Sequence, residues 1–279
     1  MKRRVFLGMM AALAGCGGVG RVIASPSPKR ATDRVQLGPR RITVSRMFVG
    51  TGTGGWGGSS EQGRELGLSG LAALLRHARD QGVNGWDTAD QYGTHPHVRE
   101  ALKNIPRESI TILTKTRAVT ADQARSDLDR FRRELGTEYI DILLLHCLTD
   151  PRWPERMRPV MDVIDAAQEK GIVRTKGVSC HSLGALQAVA REPWVEVDLA
   201  RINPSGKAMD APPETVLPVL EKMKSEGKGV IGMKLFAAGG LADRVSECLD
   251  YARSLGCLDA FTIGCSSRGQ FDDLLRRMS

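Results

Sequence analysis

Eight short apolar runs punctuate the sequence, at 47–49, 83–86, 110–113, 140–145, 173–178, 195–202, 230–233 and 260–263. Between them lie stretches with the apolar spacing of helices, at 70–81, 121–135, 159–170, 214–226 and 242–255. A strand buried on both faces reads as a continuous apolar run, and regular alternation with helices calls for a helix-covered parallel sheet. Eight strands in one chain favour a (β/α)8 TIM barrel, a fold that takes roughly 250 residues. A doubly wound open sheet is the runner-up. The pattern therefore predicts one α/β barrel domain over 35–279.

The first 34 residues read differently. Lys2, Arg3 and Arg4 precede a short apolar run at 5–14, the layout of a secretory signal. That run is too short to span a membrane, which takes roughly 20 apolar residues. Arg3-Arg4-Val5-Phe6-Leu7 resembles the twin-arginine pattern of Tat export, and Leu13-Ala14-Gly15-Cys16 resembles a bacterial lipobox whose cysteine is lipidated after cleavage. The expectation is a signal peptide over 1–15, a lipid-anchored Cys16 at the membrane, and a Gly/Pro/Ser-rich tether over 16–34. Such a protein is exported and extracytoplasmic, in the periplasm. Cleavage removes three positive charges and no acidic ones, lowering the formal net charge from +8 to +5. The remaining excess is spread along the chain without a basic block, so no nucleic-acid partner is indicated.

Apart from Cys16 there are five cysteines: Cys147, Cys180, Cys248, Cys257 and Cys265. None forms a C-x-x-C pair, so no iron–sulfur or structural zinc site is expected and no metal is assigned. A Cys147–Cys180 disulfide is conceivable outside the cytoplasm, and spacing alone does not place it. Gly50, Gly52 and Gly55 satisfy G-x-G-x-x-G, the phosphate-loop pattern of a dinucleotide fold. That motif opens a helix directly, whereas Trp56-Gly57-Gly58-Ser59-Ser60 delays one here, so the segment reads as a flexible loop after the first barrel strand.

Catalytic groups of a barrel come from the C-terminal ends of its strands. Four ends carry chemistry: 83–86 runs into Asp87 and Tyr92, 110–114 ends at Lys115, 139–145 ends at His146, and 173–178 ends at Ser179-Cys180-His181. A tyrosine hydroxyl, with a pKa near 10, is a poor acid at neutral pH. A lysine ammonium nearby favours the phenolate, a carboxylate holds that lysine, and a histidine orients a substrate oxygen. Each residue has an ordinary reading alone: Asp87 as a turn cap, Lys115 as a surface charge, His146 as a strand-end histidine, Tyr92 as packing. Four coincidences at four strand ends favour chemistry.

These residues stand in segments that resemble the aldo-keto reductase superfamily. Gly-Trp-Asp-Thr-Ala-Asp-Gln-Tyr-Gly at 85–93 is similar to the family's tyrosine segment, and Lys115, "LLLH" ending at His146 and "GVSCHS" follow in family order. The opening "VQLGPRRITVSRMFVGTG" resembles the family's amino-terminal hairpin and first strand. The resemblance implies that Tyr92 is the general acid/base, Lys115 lowers its pKa, Asp87 holds Lys115 and His146 orients a carbonyl. It implies NADP(H) as cofactor and a small carbonyl or sugar compound as substrate. Export would then carry the barrel with its nucleotide already inside.

The cofactor side departs from the family pattern. The usual Ser-Asn after the fifth barrel strand is Ser179-Cys180, a usual glutamine falls at Leu199, and the usual stacking tyrosine falls at Met233, which offers no aromatic face. Asn203 matches an asparagine many members carry. Lys234 follows Met233 without a counterpart in the pattern and is placed among the nucleotide contacts. "IGCSSRGQFDDLL" resembles the 2′-phosphate segment, with Cys265 and Phe271 where basic residues are usual. Ser266 and Arg268 are the candidate contacts there; Arg268 could equally lie on a solvated helix face. Trp56 and His181 are substrate-contact candidates. Two other readings stay open. One is a non-redox lyase or epimerase on carbohydrate using the same Tyr/Lys/His set, with Lys234 or Arg201 on its oxygens. The other is a binding lipoprotein on the same barrel.

Overall fold

A computed structural model describes residues 29–279. The signal peptide, Cys16 and most of the tether expectation lie outside these residues. Within them the domain starts earlier than residue 35: Ala31 is buried and Arg34 already belongs to a strand. A hairpin, β1 (Arg34–Leu37) and β2 (Ile42–Ser45), precedes the barrel. Then follow β3 (Met47–Gly50), α1 (Glu61–Asp80), β4 (Gly85–Asp87), α2 (His95–Leu102), β5 (Thr111–Thr116), α3 (Ala121–Leu135) and β6 (Ile140–Leu148). The second half runs α4 (Trp153–Arg156), α5 (Arg158–Glu169), β7 (Val173–Cys180), α6 (Leu183–Val189), β8 (Val197–Arg201), α7 (Pro213–Ser225), β9 (Gly229–Met233), α8 (Val245–Ser254), β10 (Ala260–Gly264) and α9 (Arg268–Arg277). The eight strands β3 to β10 are parallel neighbours in chain order, and β10 pairs with β3 to close the barrel. The (β/α)8 barrel is thus the fold, not the open sheet.

Local chemistry sets the helix boundaries. Ser60, Thr120, Ser182 and Ser267 cap α1, α3, α6 and α9, each accepting the amide of the third residue on with its hydroxyl. In α3, Ala124, Leu128, Phe131 and Leu135 form the one buried stripe, spaced as successive turns require. The α1 helix begins nine residues before the apolar spacing suggests and kinks at Gly67. The helices α2, α4, α6 and α9 are those the spacing did not mark.

Side chains alternate between the helix layer and the barrel interior. Outward residues such as Val49, Trp86, Ile112, Leu143 and Phe261 pack under the helices. Inward residues Phe48, Leu113, Ile142, Leu144, Val197, Leu199 and Ile231 fill the centre, and Leu37, Ile42 and Val44 of the hairpin plug its lower end. One alternation step above these apolar layers come Asp87, Lys115, His146, Ser179, Arg201 and Thr262. The interior is therefore apolar through its depth and polar in its top layer, where strands end and loops begin.

Candidate active site

Lys115 lies inside the barrel, fully buried, and its ammonium is saturated. Nζ donates to Asp87 Oδ1, to the Thr88 carbonyl at 2.9 Å and to the Tyr92 hydroxyl at 3.4 Å. The other Asp87 oxygen accepts from Thr262 Oγ1 at 2.9 Å. Burial works against the charge on Lys115, but attraction from Asp87 and Tyr92 outweighs it and holds its pKa above the usual lysine value. Lys115 is no surface charge.

Tyr92 sits on a one-turn 3-10 segment after β4, closed by Gly93 in the left-handed region (φ 64°). Two glycines of the loop after β3 lie against its ring: a Cβ at Gly52 would fall 2.2 Å from the ring, and one at Gly55 2.4 Å. The G-x-G-x-x-G segment is thus a loop, as expected, but one that cradles Tyr92. The aromatic contact with His146 is edge-on, with centroids 5.6 Å apart. Burial pushes the Tyr92 pKa up, and the opposing pull of Lys115 does not reverse it. This corrects the expected direction: desolvation of a phenolate exceeds the stabilisation by one neighbouring ammonium already shared with Asp87. Tyr92 stays protonated at neutral pH.

His146 is buried, with Nδ1 lacking a partner among the described residues. Burial first, then the charge of Lys115, lowers its pKa to about 2, so the imidazole is neutral. Next to it Cys147 has φ 59°, donates its amide to Ser179 Oγ at 3.1 Å, and brings Sγ within 3.6 Å of His181 Nε2. Burial first, then Arg201 and Lys234, lowers His181 to about 4. The Cys147–Cys180 bridge is not formed: Cys180 points from the other face of β7 into the helix layer, and both thiols are free.

The remaining candidates are dispersed around the mouth. Ser179 is inward on β7, its hydroxyl occupied as an acceptor by the Cys147 amide. Asn203 is buried and spent in its own loop. Its Nδ2 donates to the Lys207 carbonyl at 2.8 Å and the Lys234 carbonyl at 3.2 Å, while Oδ1 accepts from the Ser205 amide and hydroxyl. The expectation that Asn203 faces a nucleotide gives way to this role, because no donor is left on its amide. Lys234 is half-buried in the left-handed region (φ 57°). Ser266 gives its amide to Gln270 Oε1, and Arg268 is exposed in the first turn of α9 with no ion pair among the described residues. Cys265 and Phe271 are both buried. Trp56 is exposed, with the Arg117 guanidinium 4.6 Å over its ring.

The Gly52–Gly55 cradle, Thr262 and the Arg201–Asp210 pair escaped sequence reasoning. The only signal for the cradle was a pair of glycines three residues apart in a loop otherwise read as flexible.

The model of the aldo/keto reductase family matches residues 48–254. The chain belongs to this family. A versiconal hemiacetal acetate reductase of Aspergillus parasiticus is 29% identical over 194 residues, covering 57% of this chain and 55% of that protein. The NADH-specific methylglyoxal reductase of Escherichia coli K12 is 25% identical over 169 residues, or 52% and 51% of the two chains. The chain thus spans about half the length of these curated relatives. Among solved aldo-keto reductases, that of Bacillus halodurans in its holo form superposes with a TM-score of 0.71 at 15% identity, covering 88% of this chain and 90% of its own. One from Bombyx mori in complex with NADP gives 0.65 at 18% identity, over 89% and 87%. At these identities the likeness is one of fold.

Proposed function

We propose that the protein is an oxidoreductase that interconverts a small carbonyl compound and its alcohol with a nicotinamide nucleotide, NADP(H) being favoured. The observation that carries this reading is the hydrogen-bonded series Thr262–Asp87–Lys115–Tyr92 at the barrel mouth, with neutral His146 against the tyrosine ring. The nucleotide supplies the hydride. Tyr92 gives its phenolic proton to the carbonyl oxygen, and Lys115 stabilises the phenolate left behind. Asp87 keeps Lys115 charged and fixed. His146, neutral at working pH, hydrogen-bonds the same oxygen and orients it.

The residues fit a nucleotide at one end better than at the other. The α9 N-terminus, with Ser266 and with Arg268, which has no ion pair among the described residues, suits a phosphate; the Ser179 hydroxyl suits the carboxamide, and Asn203 contributes nothing. That last point favours a non-redox lyase or epimerase on carbohydrate as the second reading. A panel of aldehydes and sugars assayed with NADPH and NADH separates the two. Nucleotide-dependent turnover that Tyr92→Phe lowers about 10²–10⁴-fold supports oxidoreduction, and turnover without nucleotide supports the alternative.

The export reading is part of the proposal. Arg3-Arg4 and the lipobox at Cys16 support Tat export and lipid anchoring outside the cytoplasm. Metabolic labelling with a fatty acid checks it: label should enter the wild type and be lost in Cys16→Ser.

A further inference from the structure

The barrel mouth holds more positive charge than the acid/base set uses. Lys115 is matched by Asp87, and Arg201 by Asp210, whose Oδ1 accepts from both Nε and Nη2. Asp90 and Asp150, the acids nearest along the chain after β4 and β6, are held by Arg130 and Arg156. Two cations remain. Arg117 lies just beyond β5 and Lys234 just beyond β9, on opposite walls of an eight-stranded barrel. Among the described residues neither forms an ion pair.

Both are held in place. Arg117 is stacked on Trp56, and the backbone of Lys234 is held by the Asn203 amide on its carbonyl. Half-burying a lysine with no counter-ion is unfavourable, and its pKa is lowered by burial and then by Arg201. The contact between Cys147 Sγ and His181 Nε2, 3.6 Å long, stands at the ends of β6 and β7, which lie between β5 and β9 around the barrel. Arg117, Lys234 and Arg201 all bear on the charge state of both partners there. A neutral aldehyde would leave these cations unanswered.

We propose that the substrate is itself an anion: a carbonyl compound carrying a carboxylate or phosphate, with that group between Arg117 and Lys234 beside His181 and its carbonyl at Tyr92. This rests on the oxidoreductase reading and narrows its substrate class. It also moves Lys234 from the nucleotide to the substrate.

The test compares matched aldehydes on the full chain at saturating nucleotide: 4-oxobutanoate against butanal, and glyceraldehyde 3-phosphate against glyceraldehyde. The charged member of at least one pair should have kcat/KM about tenfold higher, the scale of one hydrogen bond to a charged group. Which pair responds tells carboxylate from phosphate. The preference should shrink as salt rises, vanish in Arg117→Gln/Lys234→Met, and return with Lys234→Arg. Parity in both pairs overturns the proposal. So does a double variant that raises the KM for nucleotide while leaving the aldehyde ratio untouched, since the cations would then serve the nucleotide's phosphates. A turnover-free arm keeps the two readings apart. Calorimetric titration with succinate and with inorganic phosphate should show binding that the double variant weakens about tenfold. Binding of that kind in a protein that reduces neither aldehyde supports the anion site and overturns oxidoreduction; no binding of either anion overturns the anion site.

Discussion

The wall from β4 to β6 and the wall from β7 to β10 face the same mouth and are built on different terms. On the first, Asp87, Lys115 and Tyr92 bond to one another, and His146 packs on the tyrosine. On the second, Thr262 and Ser179 reach across to Asp87 and Cys147, while the other polar groups bond among the loops of that wall: Arg201 to Asp210, Asn203 to the carbonyls of Lys207 and Lys234, Ser266 to Gln270. Proton transfer tolerates little change in distance, so its groups are wired together on strand ends. Nucleotide recognition spreads over many contacts carried by loops, which can be redistributed while the barrel stays the same.

Substitutions can break this contrast. After Tyr92→Phe, the largest effect is expected at Gly52→Ala, where a new methyl would meet the Tyr92 ring at 2.2 Å. A displacement of the tyrosine by about 1 Å should lower kcat about 10–100-fold while the KM for nucleotide stays put, which steady-state kinetics would read directly.

A pair of buried aspartates extends the contrast to stability. Asp141 on β6 is bonded at both oxygens, by Arg107 at 2.6 Å, Arg174 at 2.7 Å and the Ile112 amide at 2.9 Å. Asp198 on β8 has no partner at either side-chain oxygen among the described residues. Burial first, then the charge of Asp210, raises its pKa from 3.8 to about 8. The folded state therefore holds a proton that the unfolded state loses, and stability declines as pH rises from about 4 through about 8. Asp198→Asn should flatten that slope and add about 1–3 kcal/mol at pH 9, with little change at pH 4, in thermal or urea unfolding. The smallest effect belongs to Arg268→Ala, an exposed side chain. The KM for NADPH should rise up to about tenfold with that for NADH unchanged; an equal change in both would remove Arg268 from the 2′-phosphate site.

The parts of this molecule that sequence made legible are those fixed by local periodicity. The α3 bounds, 121–135, were readable to the residue because cap, stripe and terminal glycine agree. Lys115 and His146 were readable because strand ends in a barrel converge. The Tyr92 cradle was not, since glycines that leave room for a ring look the same in sequence as glycines that bend a loop. Asn203 misled for a related reason: a matching residue type says nothing about which hydrogen bonds its amide has already made. The Arg201–Asp210 pair depends on a loop path that no periodicity encodes.

The bond from Thr262 to Asp87 has a consequence for the order in which the molecule is made. It passes from the last strand of the barrel to the second, over β3, where Gly50 has no side chain and a Cβ would stand 2.9 Å from the threonine oxygen. The carboxylate that steadies Lys115 thus completes its own bonding only when nearly the whole chain has been synthesised and its ends have met. Until then Asp87 lacks that partner and the barrel has a seam open beside it. Full support of Lys115 therefore requires the closed barrel, because one oxygen of its carboxylate partner is held from the closing strand.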